Sequence, residues 1–258
     1  MQLCNDFAMK CSVITVCKNE SDRIKRTCES VIHQSYKDFE WIVLDGGSTD
    51  GTVEILASYS SYMLSFESNP DEGIYWAMNK GIALARGEYL LFLNGGDCLY
   101  SEDSLAAIFR TDPHYDLIVG NQWDPVAGAP SRVPDVINMR TFVIYGLPHQ
   151  CTFIRRNLFV ELGDYDVNFR IAADWEFFCR ALLREGLTIS RSPCIVSVFY
   201  PGGISGRNTR ETTREIDVLF RRNLSLMRYF VLIKIYRKGY FILRILAQSV
   251  WQRVALAG

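Results

Sequence analysis

The 258-residue sequence contains no run of 18 apolar residues, so no segment is predicted to span a membrane as a helix. Its first ten residues, MQLCNDFAMK, lack the charged start and long apolar core of a signal peptide. None of its eight cysteines belongs to a C-x-x-C pair, and several lie in apolar runs, where a free thiol acts as a small hydrophobic group. We therefore expect reduced cysteines and a cytoplasmic protein.

Acidic residues are absent beyond Asp217, although eight arginines and lysines follow it. The segment after Asp217 thus carries a charge of +8, and the preceding residues carry −9, because the whole chain has a net charge of −1. Apolar residues recur at spacings of three and four through residues 219–254, which predicts a basic amphipathic helix. Such a helix suits an anionic membrane, so we expect peripheral contact with the inner face of the cytoplasmic membrane.

The same apolar stripe has two other interpretations, namely packing against the rest of the chain and a homodimer seam. We do not expect a nucleic-acid partner, because no recognition motif accompanies the positive charge. The charge asymmetry divides the chain into a main domain over residues 1–215 and a basic helical tail over residues 216–258.

Apolar and β-branched runs predict four buried strands at residues 11–17, 39–44, 63–67 and 89–93. A helix is predicted after the first strand, and another begins near residue 71, with Gly87 ending it. Strands that alternate with helices through short loops predict an α/β fold, with a Rossmann-like, mostly parallel, doubly wound sheet and helices on both faces. Ligands of such a sheet bind at the carboxyl ends of its strands.

Carboxylates stand at two of these predicted strand ends, where Asp45 follows the second strand and Asp97 the fourth. The usual phosphate-binding fingerprints, G-x-G-x-x-G and G-x-x-x-x-G-K-[ST], are absent. A carboxylate near the second strand can accept hydrogen bonds from a base or ribose, and one after the fourth can hold a divalent cation against a diphosphate. The first half is therefore predicted to bind a nucleotide by a different motif.

Four motifs, VITVCKNE, FEWIVLDGGSTDGT, PDEGIYWAMNKG and FLNGGD, occur in this order and resemble those of family 2 glycosyltransferases. The resemblance extends over about residues 10–205 and is to enzymes of bacterial polysaccharide, O-antigen and colanic-acid assembly. It implies a GT-A fold with a nucleotide-sugar half at residues 10–100 and an acceptor half at residues 101–215. It also implies a nucleotide-sugar donor and Mg²⁺ or Mn²⁺ as the cofactor.

The resemblance assigns roles to residues of the first half. Thr15 and Glu20 match positions that line the nucleotide pocket, Asp45 matches the acid that contacts the base, and Asp97 matches the metal-ligating acid. The same motifs imply four further donor-side residues, Gly46, Asp71, Lys80 and Asn94.

The sequence departs from the family pattern at two positions. Gly96 stands where many relatives carry a second acid before Asp97, so we expect weak metal affinity, with the diphosphate supplying most ligands. Trp76 stands where relatives often carry Asp. We predict that Trp76 either stacks its ring on a sugar or base or is a buried residue of its helix.

Two motifs of the second half are predicted to serve the acceptor or the phosphates. His149 and Gln150 precede an apolar strand at residues 151–154, and similar enzymes carry this pair near the donor phosphates or acceptor. The alternative for His149 is a loop cap. Ser205 and Arg207 lie in a glycine-rich segment that resembles a segment of similar enzymes. We predict that it closes over the diphosphate, and the alternative is that it is merely a flexible loop.

Asp174 is the predicted catalytic base, by resemblance to the acid of D-[WY]-[DE] motifs. It lies at the start of a helix whose Phe177, Phe178 and Ala181 are predicted to face the core, so its carboxylate projects from the helix N-terminus. An acceptor hydroxyl that attacks an anomeric carbon must give up its proton, and a carboxylate can take it. The alternative is a helix cap, and Glu176 is a weaker candidate for the base.

These observations predict an inverting hexosyl- or N-acetylhexosaminyltransferase. It would use a nucleotide sugar, UDP-linked by our prediction, and a lipid-linked oligosaccharide acceptor in bacterial surface polysaccharide or lipopolysaccharide synthesis. A sugar nucleotidyltransferase is one alternative, although residues 18–21, KNES, do not form the basic Gly-rich loop expected of it. The other is a non-catalytic scaffold that retained the fold.

Overall fold

A computed structural model describes residues 9–131, 133–200 and 209–223 of the chain. The strands within these ranges are β1 (Met9–Cys17), β2 (Phe39–Asp45), β3 (Ser65–Ser68), β4 (Gly87–Phe92), β5 (Cys98–Leu99), β6 (Leu117–Asp124), β7 (Ala129–Ser131), β8 (Thr152–Arg155) and β9 (Ile189–Val198). The helices are α1 (Ile24–Ile32), α2 (Thr52–Ala57), α3 (Ile74–Leu84), α4 (Ser104–Phe109), α5 (Met139–Tyr145), α6 (Asn157–Leu162), α7 (Ala173–Leu183) and α8 (Thr209–Asn223).

All nine described strands join one sheet in the order β3-β2-β1-β4-β8-β6-β9-β5, with β7 paired to β6. The first four strands in this order are mutually parallel, and they carry the predicted α/β doubly wound half. Beyond β4 the sheet is mixed, because β8 runs antiparallel to both β4 and β6 while β9 is parallel to β6. The parallel arrangement brings the loops after β1, β2, β3 and β4 to one edge of the sheet.

Helices cover both faces of the sheet, as predicted. Neighbouring residues of β1 point to opposite faces, so that Val13 belongs to one buried cluster and Ile14 to the other. The Val13 cluster includes residues of α1, α2 and α4, and the Ile14 cluster includes residues of α3, α5, α6, α7 and α8. β4 is buried along its whole length, because it lies in the middle of this three-layer arrangement.

The ends of some helices and strands differ from those predicted from the sequence. Gly87 does not end a helix, since α3 ends at Leu84 and Gly87 begins β4. A side chain cannot fit at residue 87, because a Cβ there would lie 2.5 Å from the backbone nitrogen of Ser12 on β1. The third strand begins two residues later than predicted, at Ser65, and Cys151 precedes β8 in a 3-10 turn (His149–Cys151).

Helix α8 packs on the domain through the fully buried side chains of Leu219 and Phe220. On the same helix, Glu215 accepts three hydrogen bonds from consecutive backbone N–H groups, those of Arg170 (2.8 Å), Ile171 (2.9 Å) and Ala172 (2.9 Å). These three residues immediately precede α7. One carboxylate thus fixes the backbone that leads into α7.

The predicted division at residues 215 and 216 stays a prediction, although α8 runs across it without a break. The predicted tail helix over residues 219–254 lies outside the described residues, apart from its first five. Arg222, one of its cations, pairs with Asp166 of the main domain. No helix in the part of the chain that the structure describes is long and apolar enough to cross a membrane.

We predict that Glu215→Gln lowers the free energy of unfolding by about 1–3 kcal/mol, because an amide offers one acceptor oxygen to three N–H donors. Urea unfolding would measure the loss. The matched control is Glu211→Gln on the same helix, whose carboxylate lies 3.9 Å from the exposed Arg170 guanidinium and should change stability by less than about 1 kcal/mol. Equal losses in the two variants would contradict the role of Glu215.

Candidate active site

A cleft of about 780 Å³ lies at the carboxyl ends of β1 and β4. Its lining includes the loop after β1, the turn at residues 94–97, residues 148–150 and the first turn of α7. Of the predicted site residues, the cleft is lined by Glu20, Asp71, Asn94, Asp97, His149, Gln150 and Asp174. The structure therefore brings the predicted metal, acceptor and base residues together.

The turn after β4, at residues 94–97, places Asp97 at the surface of the cleft. Its side chain is largely buried, and its Oδ2 accepts a hydrogen bond from Gln150 Nε2 at 3.2 Å. Burial raises the pKa of Asp97 to about 6, although His149 and Gln150 partly oppose this rise. The two residues of the predicted pair thus have different carboxylate partners. Gln150 donates to Asp97, whereas His149 contacts Asp174.

His149 connects Asp174 on α7 to Asn94 in the turn after β4. Its Nδ1 lies 3.0 Å from Asp174 Oδ2, and its Nε2 lies 3.1 Å from Asn94 Nδ2. With Nδ1 donating to the carboxylate, a neutral imidazole presents Nε2 as the acceptor for the Asn94 amide. This arrangement makes His149 more than the loop cap that was its alternative interpretation.

Two groups contact one oxygen of the Asp174 carboxylate and one group contacts the other. Oδ1 accepts from the Trp175 backbone N–H at 2.9 Å and lies 2.9 Å from the Tyr75 hydroxyl, whose single proton is shared between Oδ1 and the Ile171 carbonyl at 2.8 Å. Burial and the charge of Asp174 raise the pKa of Tyr75 well above its ordinary value, so its hydroxyl stays protonated. Oδ2 contacts only His149 among the described residues, which leaves it lone-pair capacity for a further partner.

Glu176, the weaker candidate for the base, is engaged elsewhere. Its carboxylate pairs with Arg180 at 2.8 Å and is only 3% exposed. It does not line the cleft. Asp174 is thus the acid that α7 contributes to the site.

Asp45 points into the fold rather than into the cleft. It is 3% exposed and accepts hydrogen bonds from the backbone N–H of Gly47 (3.1 Å) and Ser48 (2.8 Å) and from the Ser68 hydroxyl (2.7 Å). Burial raises its pKa, but the bonds from Ser48 and Ser68 outweigh this effect, so the pKa lies below the ordinary value. Its predicted contact with a base stays a prediction.

The rest of the GGSTDGT motif anchors the loop after β1. Asp50 accepts from the Ser21 backbone N–H (3.0 Å), and the Thr52 hydroxyl accepts from the Glu20 backbone N–H (2.8 Å). Asn19 has a positive φ of 54° and accepts from the Thr49 backbone N–H at 2.9 Å. The motif thereby holds Glu20 at the edge of the cleft.

Three other donor-side predictions are placed differently by the structure. Thr15 is fully buried and accepts from Trp41 Nε1 at 2.9 Å, and Lys80 pairs with Glu67 outside the cleft. Gly46 allows Asp71 to approach, because a Cβ on residue 46 would lie 2.7 Å from Asp71 Oδ2.

Trp76 is neither buried nor in the cleft, so its interpretation as a buried helix residue is wrong. It is 47% exposed on α3, whereas Trp175, which follows the predicted base, lines the cleft. The position of Trp175 next to Asp174 is a signal in the sequence that could have indicated this. Ser205 and Arg207 lie outside the described residues.

The donor-side turn fits a divalent cation that takes few ligands from the protein. Asp97 supplies a carboxylate, and Asn94 Oδ1 on the same turn is buried without a hydrogen-bond partner. The described ranges contain no group of three or more metal-binding side chains. Oxygen ligands suit Mg²⁺ or Mn²⁺, and such an ion would complete its shell with diphosphate oxygens and water.

A Rossmann-like half whose strand ends face a cleft, joined to a mixed second half, is the fold of the GT-A glycosyltransferases. The crystal structure of S. aureus TarS 1-349 in complex with UDP-GlcNAc shares it, with a TM-score of 0.67 at 22% identity over 90% of this chain and 73% of that one. The family model of glycosyl transferase family 2 matches residues 12–162, and the chain belongs to this family.

Two curated relatives from mycobacteria support the family assignment. An uncharacterized glycosyltransferase of Mycobacterium tuberculosis (strain CDC 1551) is 37% identical over 202 residues, which cover 75% of this chain and 76% of the relative. A PGL/p-HBAD biosynthesis glycosyltransferase of Mycobacterium bovis (strain BCG) is 31% identical over 243 residues, covering 82% of this chain and 90% of the relative. The protein is therefore a family 2 glycosyltransferase.

We predict that Asp45→Asn lowers the free energy of unfolding by about 1–3 kcal/mol at pH 7, because the hydrogen bonds that this carboxylate accepts are charge-assisted. Since its folded pKa is lowered, the contribution is complete above the ordinary pKa of about 4 and is lost as the pH falls through the folded value. Urea unfolding between pH 7 and about pH 3 should show the difference shrinking toward acid. Unchanged stability with lost nucleotide binding would instead support the base-contact role.

Proposed function

We propose that the protein is an inverting glycosyltransferase that moves a sugar from a UDP-sugar to a lipid-linked saccharide in bacterial surface polysaccharide synthesis. The observation that carries this proposal is Asp174, a carboxylate at the wall of the cleft with one oxygen contacted by two groups and the other open to a further partner. A scaffold protein has no need of such an arrangement. Asp174 and Asp97 line the same cleft, and the donor phosphates would lie at Asp97.

The reaction follows from this geometry. The acceptor hydroxyl oxygen forms a bond to the anomeric carbon while the bond from that carbon to the diphosphate oxygen breaks, and the electron pair leaves with the nucleotide. Asp174 Oδ2 takes the hydroxyl proton as the new bond forms. Tyr75 and the Trp175 N–H hold Oδ1, so the carboxylate keeps its orientation while Oδ2 reacts. A single displacement of this kind inverts the anomeric configuration.

The donor would be held on the side of Asp97. Asp97 and Asn94 would hold the cation, and Gln150 orients the Asp97 carboxylate through its amide. When bound, a divalent cation would neutralise the charge that develops on the departing diphosphate. UDP is our choice of nucleotide because TarS, which shares the fold, binds UDP-GlcNAc.

The acceptor would lie against the aromatic surface beside Asp174. Trp175 is partly buried, with its ring 4.9 Å from that of Phe142, and Gly146 provides the space behind it, since a Cβ there would lie 2.7 Å from Trp175 Cζ2. Tyr145, which is 53% exposed, also lines the cleft. Flat aromatic rings next to a base suit the apolar face of a sugar ring.

A lipid-linked acceptor is supported by two further observations. One relative is named for PGL/p-HBAD biosynthesis. All charged side chains beyond Asp217 are basic, which favours binding to a surface of anionic lipids. We therefore propose peripheral association with the inner face of the cytoplasmic membrane.

We predict that Asp174→Asn lowers kcat for sugar transfer by at least about a hundredfold, because the amide cannot accept the hydroxyl proton. Binding of UDP, measured by calorimetry, should change little. The matched control is Asp164→Asn, an exposed acid that does not line the cleft, which should keep its turnover. Near wild-type turnover in folded Asp174→Asn would disprove the assignment of the base.

We also predict that Trp175→Leu raises the acceptor KM by about tenfold, whereas Trp76→Leu leaves it within about twofold. Leucine keeps apolar contact with Phe142 but removes the flat ring. Transfer from UDP-GlcNAc and UDP-glucose to a panel of octyl pyranosides would provide the assay, and melting temperatures would confirm folding. A larger effect at Trp76 would favour the stacking role that the sequence assigned to that residue.

A further inference from the structure

Glu20 and Arg23 form an ion pair at the donor side of the cleft. Arg23 Nε donates to Glu20 Oε2 at 2.8 Å, and Arg23 Nη2 donates to Glu20 Oε1 at 2.7 Å, so the two planar groups meet in a bidentate pair. Both residues line the cleft and both side chains are partly exposed, 26% for Arg23 and 18% for Glu20. The pair is therefore rigid but within reach of a ligand.

The pair lies against Gly96, the position at which many relatives carry a second acid. A Cβ at residue 96 would be 3.3 Å from Arg23 Nε and 3.4 Å from Arg23 Cζ. Gly96 also has a φ of +95°, which a residue with a side chain rarely adopts. An acid at residue 96 is thus disfavoured twice, because the backbone there would be strained and the Arg23 guanidinium would have to shift by a few tenths of an ångström.

The charge at this end of the cleft accordingly differs from that of a site with two acids. Arg23 uses two of its five N–H groups on Glu20, which leaves three for another acceptor. Lys18, an exposed residue of the same loop, also lines the cleft. A diphosphate that enters here meets the outer N–H groups of the Arg23 fork and the Lys18 ammonium group, together with the carboxylates that line the cleft, Glu20, Asp71, Glu72 and Asp97.

We propose that Arg23 binds the diphosphate of the donor directly. Its positive charge replaces part of the positive charge of the cation that a second acid helps to hold in other enzymes. Glu20 is a positioning residue for Arg23, because it fixes the plane of the guanidinium while leaving the outer N–H groups free. Arginine suits this role because its fork matches two phosphate oxygens. The inference rests on the proposed donor class, a nucleoside diphosphate sugar.

One consequence separates this role from simple loop stabilisation. A cation close to Asp97 weakens the attraction of this site for a metal ion and strengthens its attraction for a bare diphosphate. Nucleotide binding should therefore persist without metal in the natural protein. It should become strongly dependent on metal when Arg23 is neutralised.

Calorimetric titration of the full chain with UDP and with GDP, in EDTA and in Mn²⁺, tests the proposal. Arg23→Gln should weaken binding about tenfold in EDTA and less in Mn²⁺, because the metal then carries the charge. Arg23→Lys should be intermediate, since the charge remains but the fork is lost. Lys25→Gln, which removes an exposed cation on the same helix away from the cleft, should bind as the natural protein does.

The outcomes are distinguishable. Equal affinity of Arg23→Gln and the natural protein for the nucleotide in EDTA would overturn the role of Arg23 while leaving the proposed function intact. A loss of the same size in EDTA and in Mn²⁺, with a lowered melting temperature, would reduce Arg23 to a structural residue and also overturn it. Binding of neither nucleotide by the natural protein would overturn the proposed function and this inference together.

Discussion

A buried carboxylate needs hydrogen-bond donors, and the donors of Asp174 come from three separate parts of the chain. Tyr75 belongs to α3, His149 to the turn before β8, and the Trp175 N–H to α7 itself. Because each donor requires its own element in place, the Asp174 carboxylate is correctly set only when these parts of the fold are assembled. His149 extends the network to Asn94, so Asp174 and the turn at residues 94–97 share one set of hydrogen bonds.

The two carboxylates of the cleft have different surroundings. Asp174 is contacted by Tyr75, His149 and the Trp175 N–H. Asp97 is buried with a pKa raised to about 6, and the Arg23 guanidinium, which Glu20 holds in a bidentate pair, partly opposes this rise. The cleft thus combines a carboxylate supported by hydrogen bonds with one that burial makes easier to protonate.

Sequence reasoning predicted the parallel half of the fold well, because buried parallel strands are continuous apolar runs and their ends carry the polar motifs. It also placed Asp97, Gln150 and Asp174 in one cleft. It could not foresee that Thr15 and Asp45 are saturated by partners such as Trp41 and Ser68, since those contacts depend on tertiary packing. It chose Trp76 over Trp175 because a motif records a position along the chain and not the direction of a side chain.

The contact between Glu215 and the backbone before α7 determines how far the catalytic unit extends. A chain shortened to residues 12–162, the range of the family match, would keep the donor-side turn and lose Asp174 altogether. A chain cut before α8 would keep Asp174 but leave three backbone N–H groups without their carboxylate. A fragment that keeps both Asp174 and the backbone contacts that hold the start of α7 therefore includes α8, which lies beyond the range of the family match.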